Sequence, residues 1–258
     1  MKSIIDEMWS MHGILFNFAI SDLKIKYRNS VLGILWSFIE PLLMLGVLFF
    51  VFSTMFKFEI ENFPIYLLIG IITWNFFKNG TSIALSSLTN RSSLITQIYF
   101  PRSIPSISAT FTASFILLTE LIVLVVFMII LGYVPPNTII LLIPIYLLGF
   151  LFIFGVSLPL SVLNVKYKDV EFIWGVVLQA GFFLTPIFYR FDMLPDYVQS
   201  ILQFSPMVQI VMMVQHVTLF GTLPSVNSVL YAVFSISVIT LIGYMIFRKL
   251  QSRIVEEM

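Results

Sequence analysis

Long apolar runs alternate with short polar segments along most of this chain. Six of the runs contain about 20 residues or more, which is the length that an α-helix needs to cross the hydrocarbon core of a bilayer. Only helices and closed barrels satisfy their backbone hydrogen bonds inside that core, so the pattern predicts an all-α integral membrane protein. The predicted spans are 31–56, 63–88, 103–131, 139–163, 172–190 and 228–247.

The first 28 residues have a different pattern. Within 4–23, apolar side chains recur at three- and four-residue spacing, and polar ones such as Asn17 and Asp22 fall largely on the other face. This pattern is typical of an amphipathic helix in the plane of the membrane interface, although a soluble helix packed on a partner would share it. We expect an interfacial helix and a gate loop over 1–28.

The segment 191–227 allows two interpretations. Its part 198–220 is long enough for a seventh span, but it contains four glutamines, a histidine and Pro206, which are costly in a helix that faces lipid. A seventh span would also place the basic C-terminal end outside. Two short re-entrant helices in the outer leaflet are therefore predicted, and 228–258 becomes the sixth span with a cytoplasmic tail.

The distribution of basic residues orients the predicted spans. With six spans and both termini in the cytoplasm, the inside segments contain most of the 14 basic residues. Only Lys57 and Arg190 then lie outside, and Lys78 lies within a span. This asymmetry follows the positive-inside rule and predicts a multi-pass protein of the cytoplasmic membrane.

Composition agrees with a membrane location and excludes some kinds of chemistry. The mean hydropathy is +1.01 and 10% of the residues are charged, whereas soluble domains contain about 25%. The absence of cysteine excludes disulfides and thiolate metal sites. The basic residues are too thinly spread to indicate nucleic-acid binding. No linker or repeat divides residues 1–258, so we predict one membrane domain, with spans one to five inside 31–190.

Two opposite charges lie inside predicted spans at similar depth. Glu40 and Lys78 are each nine or ten residues from the cytoplasmic ends of spans one and two, which is roughly 14 Å into the membrane. Equal depth on neighbouring antiparallel spans predicts an ion pair, which offsets part of the cost of burying each charge. Glu120 in span three has no obvious basic partner, so protonation and pairing across a dimer are both open.

Residues 26–41 form the most informative stretch, which reads KYRNSVLGILWSFIEP. It resembles the membrane subunit of ABC exporters for lipid-linked polysaccharides, the family that exports O antigen, teichoic acid or capsule. ITQIYFPR at 95–102 and TPIFY at 185–189 resemble further segments of that family. The resemblance therefore covers essentially the whole chain.

The resemblance implies partners for this chain. The chain contains no Gly-x-x-x-x-Gly-Lys-Ser/Thr motif, so ATP and Mg²⁺ would bind to a separate ATPase subunit. The resemblance implies a homodimer with two copies of that ATPase, surrounded by membrane lipids, and a lipid-linked glycan as the substrate. No catalytic residue, metal site or cofactor is assigned to this chain.

The resemblance also implies a short coupling helix between spans two and three, in the loop 90–102. Apolar side chains on a short cytoplasmic segment favour contact with a protein partner, although a helix that rests on the bilayer surface would look the same. The residues expected to couple to the ATPase are Arg91, Leu94, Ile95, Ile98, Tyr99, Phe100 and Arg102.

Basic residues precede the first span. Lys24, Lys26 and Arg28, with Ser30, lie where the pyrophosphate headgroup of a polyprenyl-linked glycan would lie. Basic side chains at this depth suit the capture of a phosphate. They equally suit a plain topological role, because charged heads reach the interface while their stems lie along apolar surface.

Aromatic residues are unusually frequent, and 27 of them are Phe. The apolar faces of sugars stack on aromatic rings, so a conduit lined by rings could let a glycan slide. The alternative is that Phe faces lipid or other helices, and that Trp and Tyr mark the interfaces. The candidate lining residues are Trp36, Phe38, Tyr66, Trp74, Phe77, Trp174, Phe182, Phe183 and Tyr189.

The leading hypothesis is therefore the membrane subunit of an ATP-driven exporter of lipid-linked polysaccharide. A related exporter of small hydrophobic drugs or lipids would share the fold and the coupling loop. An integral-membrane enzyme that acts on a lipid carrier would need a metal or carboxylate cluster, which the positions of Asp and Glu in the sequence do not indicate.

Overall fold

The computed structural model describes residues 11–55, 62–97 and 100–251, and within them the regular structure is helical. This confirms the predicted all-α class. The helices are α1 His12–Lys26, α2 Trp36–Phe49, α3 Phe63–Ser87, α4 Ser92–Gln97, α5 Ile104–Ile130, α6 Leu142–Lys166, α7 Asp169–Leu184, α8 Asp196–Leu202, α9 Pro206–Gln215 and α10 Val226–Leu250.

Four helical stretches of the described chain are long and apolar enough to cross a membrane. They correspond to predicted spans one, three, four and six, with a short 3₁₀ turn at the start of the first and third stretches and a π-helical turn at the end of the first. The chain is therefore a multi-pass membrane protein. The stretches are Gly33–Ser53, Ile104–Ile130, Asn137–Lys166 and Val226–Leu250.

The other two predicted spans differ from these four. Helix α3 has 25 residues but includes polar positions such as Lys78 in its middle. Helix α7 has only 16 residues and ends at Leu184, so a continuous helix over 172–190 was wrong. The reason is local, because Thr185 precedes Pro186 and takes an extended conformation, with φ −86° and ψ 137°. Length and composition alone thus do not establish six spans.

The segment between α7 and α10 contains a sharp bend. Helix α8 and the helical stretch Pro206–Phe220 meet at 101°. Pro206 begins the second helix, where its missing N–H is not needed. Such a bend is compatible with one broken span as well as with a re-entrant pair, so the predicted re-entrant arrangement stays a prediction.

Helix α3 lies at the centre of the bundle. It packs against α2, α5, α6 and α9, and most of its residues are buried. The main hydrophobic cluster is built around its N-terminal half, with Ile153 of α6 and Val211 of α9 among its partners. Helix α7 contacts the bundle much less, and Leu178 is its one buried residue.

Small residues bring the helices close together. A Cβ atom on Gly243 of α10 would collide with the carbonyl oxygen of Gly155 on α6. On α3, a Cβ on Gly80 would lie 2.5 Å from Cγ2 of Ile153. Close backbone approach at glycine is a common basis of helix packing in membranes, where no hydrophobic force drives helices together.

Helix α1 covers the described part of the predicted interfacial helix, and residues 1–10 lie outside the described residues. It packs on α5 and buries Leu15, Ala19 and Asp22. The placement of Asp22 on an outward polar face was therefore wrong. A helical wheel omits the partners that Asp22 finds on other helices, which are Arg91 and Ser108. Contact of α1 with the membrane interface remains a prediction.

Candidate functional site: a groove between α2, α3 and α7

An open groove of about 770 Å³ lies between α2, α3 and α7. Four of the predicted aromatic residues line it, which are Trp36, Trp74, Phe182 and Phe183. The Trp74 ring lies edge-on to Phe182, with 6.0 Å between ring centroids. Gly181 permits this, because a Cβ there would lie 2.7 Å from the Trp74 ring. The remaining lining residues are Glu40, Leu43, Met44, Val47, Ile71, Asn75, Lys78, Ser82, Gly175, Leu178 and Gln179.

The two charges that the sequence places inside predicted spans meet in this groove. Nζ of Lys78 lies 3.2 Å from Oε1 of Glu40, and each side chain is 41% exposed. Both charges therefore face the open space of the groove. The wall thus combines aromatic rings, which can stack on a flat apolar face, with one cation and one carboxylate that can bind hydroxyl groups.

A polar stripe on α3 extends from this ion pair. Asn75, Lys78 and Asn79 lie on one face because their spacing is three and four residues. Nδ2 of Asn75 donates to Oε1 of Glu120 on α5 at 3.3 Å. Nζ of Lys26, at the end of α1, donates to Oδ1 of Asn79 at 2.9 Å. With the Glu40 pair on α2, one stripe joins α3 to three other helices.

Sequence reasoning missed Asn75 and Asn79. Their spacing around Lys78 was a usable signal, because three polar residues on one face of a membrane helix indicate a protein environment. Glu120, for which two states were open, is 1% exposed and accepts the hydrogen bond from Asn75. Its second oxygen, Oε2, has no hydrogen-bond partner within the described structure.

The residues that were predicted to bind the lipid headgroup have different surroundings in the structure. Lys24 and Arg28 are exposed at the end of α1, and the Oγ of Ser30 accepts the backbone N–H of Gly33 at 3.2 Å. Lys26 instead reaches inward to Asn79. Although part of the Lys26 side chain is exposed, burial of its ammonium group lowers its pKa. All three cations are exposed, and among them Lys26 is the one whose ammonium group is hydrogen-bonded to α3.

The other predicted aromatic residues lie away from the groove lining. Phe77 stacks on Phe152 with 4.8 Å between centroids, and Trp174 donates its Nε1–H to Thr81 Oγ1 at 3.2 Å. The hydroxyl of Tyr66 donates to the Tyr189 carbonyl at 2.7 Å, and that of Tyr189 donates to the Leu184 carbonyl at 2.9 Å. Phe38 is half-buried. The contacts of the first four rings join helices or stabilise the end of α7.

The described part of the coupling loop contains both buried and exposed residues. Leu94 is exposed, and Ile95 is half-buried. Arg91 and Phe100 are buried, which contradicts an outward docking role for their side chains. The Arg102 guanidinium is hydrogen-bonded to the Gln251 carbonyl. Ile98 and Tyr99 lie outside the described residues.

The reason for the burial of Arg91 is a salt bridge with α1. Its Nη2 lies 2.5 Å from Oδ1 of Asp22. Burial raises the pKa of Asp22 above its ordinary value, and the Arg91 guanidinium opposes that rise. The two residues are 69 positions apart in the chain, so no sequence pattern indicated the pair.

The described residues contain no group of three or more His, Asp or Glu side chains that could hold a metal ion. A bundle of long apolar helices with an open, partly polar groove is typical of membrane-transport proteins. A family model described as ABC-2 type transporter matches residues 18–219. The chain belongs to the ABC-2 type transporter family, which confirms the resemblance seen in the sequence.

Similar proteins carry names that specify a cargo. Two proteins from Klebsiella pneumoniae, each named O-antigen export system permease protein RfbA, are 31% and 30% identical over 250 residues. Each alignment covers 95% of this chain and 96% of the relative. A protein of the same name from Myxococcus xanthus is 27% identical over 245 residues, with 93% of both chains covered.

Proposed function

We propose that this chain is the permease subunit of an ATP-driven exporter that moves a lipid-linked polysaccharide across the cytoplasmic membrane. The observation that carries the proposal is the groove between α2, α3 and α7, with its aromatic wall and its Glu40–Lys78 pair. The names of the relatives, which are O-antigen export permeases, support polysaccharide as the cargo.

In this proposal the chain has six spans and both termini lie in the cytoplasm. Helix α3 is the second span, because its 25 residues reach about 37 Å at 1.5 Å per residue. Helix α7 and the non-helical segment 185–190 together form the fifth. The polar groups in the middle of α3 are tolerated inside the membrane because α1, α2 and α5 supply their hydrogen-bond and ion-pair partners.

Two copies of the chain close the conduit. The groove is open, α2 and α7 form two of its walls, and α7 exposes large apolar side chains such as Phe172 and Val176. A second copy that packs against these helices would cover the apolar surface and place a second groove opposite the first. The aromatic walls would then surround the sugar chain with many weak, replaceable contacts.

In this proposal, the binding sites for the lipid carrier and for the ATPase subunit lie toward the cytoplasmic side. Lys24 and Arg28 are exposed cations that can bind the pyrophosphate of the lipid carrier. The exposed Leu94 on α4 offers an apolar contact for a separate ATPase subunit, which binds ATP and Mg²⁺. Two copies of that subunit would serve one dimer.

The test is transport in reconstituted vesicles that contain this chain and a separate ABC ATPase subunit that co-purifies with it. Trp36→Ala and Phe183→Ala, which remove groove rings, should slow the ATP-dependent movement of a labelled lipid-linked glycan. The control is Phe234→Ala, since Phe234 is an exposed ring on α10 outside the groove. Glycan movement without ATP, or equal effects of all three variants, would contradict the proposal.

The same vesicles test the ion pair and the rival cargo. Glu40→Gln and Lys78→Met should each reduce glycan movement, because each leaves its partner unpaired in the groove. Wild-type transport activity in both variants would show that the Glu40–Lys78 pair has no role in transport. ATPase activity that rises with hydrophobic drugs and ignores glycan would favour the related exporter of drugs or lipids.

A further inference from the structure

We propose that Asp22 and Arg91 are positioning residues that join α1 to the coupling segment. The coupling segment is defined here as residues 89–97 together with Phe100. When the ATPase displaces this segment, α1 moves with it and carries the basic residues at its end, Lys24 and Arg28. This inference rests on the proposed function and adds the route by which force reaches the entrance.

The guanidinium of Arg91 connects several backbone elements at once. Its Nη2 contacts Oδ1 of Asp22 at 2.5 Å and donates to the Phe18 carbonyl at 3.4 Å. Its Nη1 donates to the Ser87 carbonyl at the end of α3, at 3.1 Å. The Arg91 and Asp22 side chains are only 7% and 8% exposed. The pair is therefore an internal joint between α1 and the coupling segment.

Aromatic contacts support the same joint. The guanidinium carbon of Arg91 lies 4.5 Å from the centre of the Phe18 ring. The Phe18 ring lies edge-on to Phe100, with 5.7 Å between centroids. Phe100 also packs in one cluster with Leu15 of α1 and Ile104 of α5. Both ends of the coupling segment thus contact α1.

Breaking a buried ion pair costs more than the pair contributes, because each charge is left without a partner in a medium of low dielectric constant. Moving the coupling segment away from α1 would separate the ion pair and incur this free-energy cost. Moving the segment and α1 together keeps the pair intact. After α1 the backbone turns sharply, with positive φ at Asn29 and Gly33. A displacement of α1 can be absorbed by that turn before α2 begins.

The absence of cysteine in the chain makes the joint testable with introduced thiols. Asp22→Asn should lower glycan transport about tenfold while the ATPase rate stays within about twofold, which is the signature of lost coupling. In the double variant Phe18→Cys/Phe100→Cys, a short bifunctional thiol reagent should leave transport intact. The same bridge added to Asp22→Asn should restore transport, because it replaces the joint covalently.

The control is the pair Arg190–Asp192, which has the same 2.5 Å separation but is exposed on another part of the chain. Asp192→Asn should leave transport unchanged. If the bridge between positions 18 and 100 blocks transport, or if it fails to restore transport in Asp22→Asn, the proposal is wrong. Purification of each variant as an intact complex with the ATPase separates loss of coupling from loss of folding.

A second measurement needs no glycan and so separates this inference from the proposed cargo. Spin labels on Asn17→Cys and Gln97→Cys, both exposed positions, should keep a constant distance when the ATPase is trapped with vanadate. The distance from position 17 to a label on Phe234→Cys of α10 should change. A change between 17 and 97, or no change in either distance, would overturn the joint even if glycan is transported.

Discussion

Helices α3 and α7 border the same groove but differ in almost every other respect. Helix α3 is the more polar of the two in its middle and is buried on most sides. Helix α7 is largely apolar, yet Phe172 and Val176 are 75% and 66% exposed. The comparison shows that hydropathy in a membrane protein reports what a helix faces. Polar groups on α3 are acceptable because other helices bind them, and apolar groups on α7 are available to lipid or to a second copy.

The largest difference in stability between α3 and α7 should come from substitutions at one glycine on each helix. Gly80→Val on α3 places new atoms against Ile153 and Ala113, so it should destabilise the fold by about 3 kcal/mol through overpacking. Gly175→Val on α7 has open space, with no atom within 4 Å of a Cβ, and should change stability by less than about 0.5 kcal/mol. Thermal unfolding in detergent measures both. Equal losses would show that α7 is packed as tightly as α3.

Substitutions at two polar residues, Asn75 on α3 and Gln179 on α7, should show a smaller difference in stability than the two glycine substitutions. Asn75→Leu removes the donor to the buried Glu120 and should cost about 2 kcal/mol, because a buried acceptor is left unsatisfied. Gln179→Leu alters an exposed side chain on α7 and should be close to neutral. The unfolding midpoints of the two variants test this difference. An unchanged midpoint in Asn75→Leu would show that this member of the polar stripe on α3 does not stabilise the fold.

The exposed face of α7 should affect assembly more than folding. Val176→Asn leaves the protomer intact but places an amide in the proposed contact between two copies, so dimer dissociation should increase about tenfold, or about 1.4 kcal/mol. The fraction of dimer at several protein-to-detergent ratios measures this. Val233→Asn on α10, also exposed, is the control. Identical behaviour of the two variants would argue against α7 as the interface.

The smallest contrast in stability should come from two tyrosines, one near the start of α3 and one just after the end of α7. Tyr66→Phe on α3 removes the hydrogen bond to the Tyr189 carbonyl, in a residue that is buried, and should cost about 1 kcal/mol. Tyr189→Phe removes a bond in a more open position and should cost less than about 0.5 kcal/mol. Unfolding midpoints would again compare them, and the reverse order would contradict the burial argument.

Much of the fold could be predicted because it depends on local composition. Four spans, the all-α class and the family follow from runs of apolar residues and from residues 26–41. The end of α7 at Leu184 was also predictable, since the residue before Pro186 disfavours a helix, but the apolar run continues past it. The positions of Arg91 and Phe100 could not be predicted in this way, because both are buried by contacts with a helix about 70 residues or more earlier.

The sequence alone determined which segments prefer hydrocarbon, where charges lie along each helix, and to which family the chain belongs. These properties depend on residues close together in the chain, whose transfer free energies add along a helix. Tertiary structure alone decided that α3 is central, that Lys26 turns inward and that Asp22 binds Arg91. Those choices depend on which distant side chains can satisfy a buried charge or amide, and only the packed bundle brings such partners together.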